Sequence, residues 1–222
     1  MDPRTVTPTL SPGVILGDLP TTKRVRDAMA RVHARLGKLE VGLDAIRRDR
    51  TLNDHARAAA MHDLRAKVAG DVEPVLEAEY GRVQDALDGV ERSIDERLYS
   101  VPTKTASREE IRRHVASLPD SRRAMFVRDR AKAGDLQTVA ATLTAPSYLS
   151  GLDDDQQRAL RDQIAQDLAP DLAAQRRELS AASSALQRAA KAFTATYVDR
   201  RPHATADTAR ARAEAVRAAE GA

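Results

Sequence analysis

Cysteine and tryptophan are absent from this 222-residue chain, phenylalanine occurs twice and tyrosine four times. Without cysteine there is no disulfide, no thiolate-held metal and no cysteine nucleophile, and the composition fits a reducing compartment. With so few aromatic rings a deep globular core lacks its usual bulk, so Leu, Val, Ile and Ala must fill the interior. Alanine-rich helices packed side by side leave more surface exposed than such a core does, which predicts an elongated helical bundle. No apolar run approaches the roughly 20 residues of a membrane helix. Residues 1–20 also lack the basic start and unbroken apolar stretch of a secretory signal, so neither a membrane partner nor secretion by signal peptide is expected. The 36 Lys and Arg nearly balance the 33 Asp and Glu, and a net charge of +3 does not by itself call for nucleic acid.

Catalytic signatures are missing too. There is no phosphate-cradling glycine loop, no strand-turn-helix setting for a nucleophilic serine and no His-Glu-x-x-His pattern. His55 and His62 share a helical face with Asp54 and Asp63 beside them, but they lie two turns apart, whereas metal ligands on one helix sit three or four residues apart. His33, His114 and His203 are isolated. Asp153, Asp154 and Asp155 follow Gly151-Leu152 and open a helix, where acidic groups complement the dipole and cap free amides. No catalytic residue, metal or cofactor is assigned, and the chain reads as a non-enzyme.

What the sequence does have is helical rhythm. Val25, Met29, Val32, Leu36, Leu39, Leu43 and Ile46 alternate spacings of four and three, the pattern that buries a narrow stripe against another helix. A second stripe is Leu76, Tyr80, Val83, Leu87, Val90 and Ile94, and a third places Leu172, Leu179, Leu186 and Phe193 one heptad apart with Ala182 and Ala189 between. These are the candidate helix-interface residues. The fold class is therefore all-α, with coiled-coil-like long helices.

Five segments follow. Residues 1–20, with Pro3, Pro8, Pro12 and Pro20, form an extended arm whose Val14, Ile15 and Leu16 could dock on a partner. Residues 21–100 are a long-helix region, with Thr21 or Thr22 capping a helix to about Asp49. Thr51 or Asn53 opens the next element. Gly70 and Pro74 then interrupt the pattern, so that Asp71 caps a third helix from about Val72 to Tyr99, unless the two are one kinked rod. In residues 101–170, Ser107 and Glu110 read as a capping box. Pro119, Gly134, Pro146, Gly151 and Pro170 cut this stretch into short helices at about 108–117, 120–132, 135–144 and 153–168. The subdomain packs around Ile111, Val115, Met125, Phe126, Leu136, Val139, Leu143, Tyr148, Leu149, Leu152, Leu160, Ile164 and Leu168. Residues 171–201 form a last long helix ended by Pro202, and 202–222 an alanine-rich tail with Val216 as its large apolar anchor.

Charge couples the long helices: residues 23–50 hold nine basic and four acidic groups, and residues 71–96 hold nine acidic ones. Opposite flanking charges set partner and orientation, each exposed pair contributing only about 0.2–1 kcal/mol. That pairing can lie within one chain or between subunits. The most basic stretch, residues 104–132, carries Arg112, Arg113, Arg122, Arg123, Arg128 and Arg130, a possible face for an anionic partner. No aromatic or glycine is interleaved in a way that suggests base stacking, so solvated helix faces or an acidic protein are favoured over nucleic acid.

An extended proline-rich arm, long heptad helices, a short-helix subdomain and an alanine-rich tail together resemble the helical head and connector-region proteins of tailed bacteriophages. The likeness is one of layout, so no functional residue is carried over. It implies a noncatalytic virion or assembly protein, used in scaffolding, decoration or attachment to capsid or portal. Its expected partners are protein copies of itself or a larger virion assembly, and its expected location is the virion or the host cytoplasm. The competing expectation is a DNA-associated regulatory or organising protein that uses residues 104–132 as its basic face.

Overall fold

The structure, a computed structural model, describes residues 18–101 and 105–198. Among these residues there are eight α-helices and no strand: α1 (Pro20–Arg48), α2 (Asp54–Tyr99), α3 (Thr105–Ser117), α4 (Asp120–Lys132), α5 (Leu136–Leu143), α6 (Ser147–Ser150), α7 (Asp154–Leu168) and α8 (Pro170–Phe193). A π-helical turn, Thr194–Val198, extends α8. The chain is all-α, as its periodicity predicts. It divides into two compact units, one comprising the described residues up to Gln84 and from Ala181 onward, the other Asp85–Ser180. The arm residues Val14, Ile15 and Leu16, and the tail from 202, lie outside the described residues.

In the first unit α1 begins earlier than the threonine-cap expectation. Leu19 is the N-cap without a side-chain bond, and Pro20 occupies the first turn, where its missing N–H and preset φ carry no penalty. Thr22 is buried instead, its hydroxyl donating to the Leu19 carbonyl at 2.8 Å. The α1–α2 connection is held by side chains. Thr51 donates to Asp49 Oδ1 through its amide at 2.8 Å and its hydroxyl at 2.6 Å, which holds that carboxyl below its ordinary pKa. Asn53 Oδ1 accepts from the Ala56 amide and so caps α2. Arg57 donates to the carbonyls of Asp49 and Leu52.

The expected break at Gly70 and Pro74 does not occur: α2 runs continuously through both. Proline costs a helix interior about 3 kcal/mol, but Val68, Val72 and Leu76 are all buried across this stretch, and each contributes roughly 1.5–3 kcal/mol. Burial wins, and the helix is one rod. Asp71 is not a cap; it pairs with Arg35 of α1.

A three-helix arrangement results. Arg35–Asp71 and the approach of Gly42 to Leu64 run in opposite chain directions, so α1 and α2 are antiparallel. A Cβ at Gly42 would lie 2.8 Å from Leu64 Cδ2, so this crossing requires glycine or a displaced leucine. Gln84 donates to Ser183 at 2.9 Å and Gln187 to Tyr80 at 3.0 Å, which sets the last part of α8 antiparallel to α2. Glu40 of α1 bonds Tyr197; burial first, then that carboxylate, pushes the phenol's pKa above its ordinary value.

The second unit is built around α5, in which Thr138, Val139, Ala140, Ala141 and Thr142 are all buried. Asp135 caps it, accepting from the Thr138 amide at 3.1 Å and hydroxyl at 2.7 Å. The capping box expected at Ser107 is not the start of α3, which begins two residues earlier at Thr105. The Asp153 run does open a helix: Asp153 and Gln156 form a reciprocal capping box at the head of α7. Gly151, with φ +70°, ends α6 in the left-handed region that glycine adopts without strain.

Three residues expected in this core are exposed: Met125 (58%), Tyr148 (82%) and Leu149 (41%). On α4 the buried positions are Val127 and Ala131, one turn apart, so Met125 points the other way. A short apolar residue one turn along decides which face packs, and size alone misleads.

Candidate functional site

The stripe residues are distributed as follows. Val25, Met29, Val32, Leu36, Leu39 and Leu43 of α1 are buried, with Ile46 partly so. Leu76, Val83, Val90 and Ile94 of α2 are buried, while Tyr80 and Leu87 are half-buried. In α8, Leu179, Leu186 and Phe193 are buried with Ala182 and Ala189, whereas Leu172 is half-buried beside a buried Ala173. This burial arises within a single chain, so the buried positions of the stripes are covered without a second copy.

The seam of α2 contains a residue that apolar periodicity passes over. Between Val72, Leu76 and Val83 the buried position is Glu79, 6% exposed, rather than Tyr80. Its signal in the sequence is a carboxylate standing three residues after Leu76 and four before Val83, where the alternation calls for an apolar side chain. Oε1 accepts from Arg82 Nη1 at 2.5 Å; Oε2 is buried without a hydrogen-bond partner among the described residues.

Two grooves flank this part of α2. One, of about 690 Å³, lies between α2 and α8, with Leu76, Leu186 and Phe193 in its lining and Glu73, Glu77 and Lys191 among its charged groups. The other, of about 560 Å³, lies between α1 and α2 and is lined by Arg24, Asp27, Arg31, Pro74, Val75, Ala78, Glu79 and Arg82.

The basic cluster of residues 104–132 is not brought together as one free face. Arg112 Nε donates to the Ala141 carbonyl at 2.8 Å, and Arg123 donates to the carbonyls of Gly151 at 2.7 Å and Ala116 at 2.9 Å. Arg128 pairs with Asp167 at 3.2 Å, and Arg130 lies over the Phe126 ring, 5.2 Å from its centroid. The same ring packs in a T-shaped arrangement with His114, centroids 5.2 Å apart. Arg113 and Arg122 are exposed. These guanidiniums act as helix-end ties: Arg112 and Arg123 satisfy carbonyls that a terminated helix leaves without donors.

The acids of α2 are used in the same way. Asp71 goes to α1, but Glu91 and Asp95 each accept from Arg161 of α7 at 2.7 Å. Arg176 of α8 pairs with Asp162 at 2.7 Å and Glu91 at 3.5 Å. Burial alone would lower the Arg161 pKa; the bonds it donates to Asp95 and Glu91 outweigh it and raise the group above its already high value. Charge complementarity is therefore shared among four helices, α1, α2, α7 and α8, rather than confined to α1 and α2. Arg161→Met should lower stability by about 1–2 kcal/mol, partial exposure reducing the penalty of a broken buried pair. Arg158→Ala, which removes the exposed Arg158–Asp155 pair, should change the urea midpoint little. Equal midpoints for the two variants would remove the network's structural role.

Among the described residues no group of three or more His, Cys, Asp or Glu is arranged to hold a metal ion, and no helix is long and apolar enough to cross a membrane. His55 is exposed, and His62 lies 3.4 Å from Asp63. Comparison with protein-family models, with curated proteins and with solved structures finds no match.

Proposed function

We propose that this chain is a noncatalytic structural or assembly protein, a helical component of a bacteriophage virion that scaffolds, decorates or attaches to capsid or portal. It acts through contacts with other proteins, including copies of itself, in the virion or the host cytoplasm. The observation that carries this reading is the use of its ionic side chains: Arg112, Arg123, Arg128, Arg161 and Arg176 all bind backbone carbonyls or carboxylates of neighbouring segments. Chemistry that a binding or catalytic site would present to a ligand here joins helix to helix. The layout of arm, long helices and short-helix unit supports the same reading.

The DNA-associated alternative would require residues 104–132 to neutralise phosphates, and four of its six arginines already have partners within the chain. Sedimentation velocity across a hundredfold concentration range, paired with a titration of random duplex DNA, tests the choice. The expected outcome is concentration-dependent association and no submicromolar DNA binding at about 150 mM salt. A strictly monomeric protein that binds duplex at that level, and loses it in Arg113→Glu/Arg122→Glu, would overturn the proposal. That pair is preferable to any change at Arg123, whose loss would break the ties to Gly151 and Ala116.

A further inference from the structure

Of the four large apolar side chains that the described residues leave exposed, three belong to the second unit: Met125, Tyr148 and Leu149. They fall on two surfaces of opposite charge. On α4, Arg122, Met125, Asp129 and Lys132 follow at spacings of three, four and three, so they share a face, and all four are exposed. Arg122 and Lys132 have no ion pair among the described residues. The α6 turn carries the other sign: Tyr148 and Leu149 are followed by Asp153, Asp154 and Asp155 at the head of α7, all exposed. Asp153 is engaged as a cap and Asp155 with Arg158, while the Asp154 carboxylate has no partner among the described residues. One chain cannot bring its own two surfaces together. Arg123 donates to the Gly151 carbonyl at 2.7 Å, so the side of α4 that carries Arg123 is turned toward the end of α6. Met125 stands two residues further, about 200° around the helix, and its face is turned away.

We propose that a second copy of the chain supplies the cover: the α4 face of one copy, centred on Met125, docks on the α6 turn of the next, centred on Tyr148 and Leu149. Arg122 and Lys132 then meet the acidic head of α7. Tyrosine, methionine and arginine are enriched where proteins meet, and tyrosine and arginine recur among the residues that dominate binding. Opposite signs on the two surfaces orient the encounter and reject a like surface. Three apolar side chains cover less than the roughly 800 Å² per partner of a standard interface, so a single junction is weak and dissociates on dilution. Because the surfaces differ, every pair leaves one of each free, a head-to-tail join that extends to a ring or a filament. The inference rests on the reading of the chain as a self-associating assembly protein and names the surfaces through which it associates.

The test is sedimentation velocity on the full chain. Wild-type protein should grow past the dimer as concentration rises, and less so as salt screens the charges around each apolar centre. Met125→Glu disables the α4 face and Tyr148→Lys the α6 turn. Both positions are exposed, so circular dichroism should be unchanged while each variant alone associates about tenfold or more weakly than wild type. Mixed in equal amounts, the two variants retain one intact junction between them and should form a dimer and nothing larger. Val41→Glu, at the fourth exposed apolar side chain, should associate as wild type does. Undiminished association by either surface variant, a mixture that stays monomeric, or loss of association in Val41→Glu overturns the inference and leaves self-association of the wild type standing. A wild-type chain that is monomeric at every concentration overturns the inference and the homo-oligomeric reading together.

Discussion

Replacing Leu36 and Leu43 together by aspartate should unfold the three-helix unit rather than convert an oligomer into folded monomers. Both side chains are buried within the single chain, at 5% and 1% exposure. Each substitution forfeits roughly 1.5–3 kcal/mol of apolar burial and adds several kcal/mol for a carboxylate without a partner. The two sites lie two turns apart, so their effects approximately add. Their sum is comparable to the 5–15 kcal/mol that holds a typical domain folded. Far-ultraviolet circular dichroism should show a large loss of helix at room temperature. A variant with native helicity, an unchanged melt and a smaller sedimentation coefficient would place the stripe in an intermolecular seam instead.

The second large effect has the opposite sign. Pro74→Ala restores an amide donor to the interior of α2, where proline is about 3 kcal/mol less favourable than alanine. Glu79→Leu fills a seam position with an apolar side chain, and exchanging a buried ionic group for a well-packed hydrophobe is worth about 1–4 kcal/mol. Arg82, half-exposed, is left hydrated and costs little. Each kcal/mol corresponds to about 2–4 °C in a chain of this size, so either change alone should raise Tm by several degrees in a calorimetric scan. The two residues share a groove, so the double variant is not expected to be additive. A fall in Tm would mean the carboxylate is satisfied inside the protein.

The all-α class, the inward face of α1 and the head of α7 were legible residue by residue, because spacing and capping are local properties of the backbone. Val25 through Leu43 recur on one side of a helix whatever surrounds them, and Asp153 three residues before Gln156 caps a helix start in any fold. The candidate groove was not legible. Its walls come from α1 and α2, and its Glu79 was hidden because a stripe search admits only apolar residues.

Sequence by itself determined that long helices would form, that no thiol chemistry is available, and that short helices would occupy the middle of the chain. Tertiary structure alone decided the rest. Pro74 stays within α2 because Val68, Val72 and Leu76 gain more from burial than the proline costs. Met125 faces out because Val127 and Ala131 fit against neighbouring helices. Arg112, Arg123 and Arg128 became ties because carbonyls and carboxylates distant in sequence, at Ala141, Gly151 and Asp167, were brought within hydrogen-bond reach. Periodicity specifies which residues can share a side; the identity of what covers that side is a long-range property, set when the helices meet.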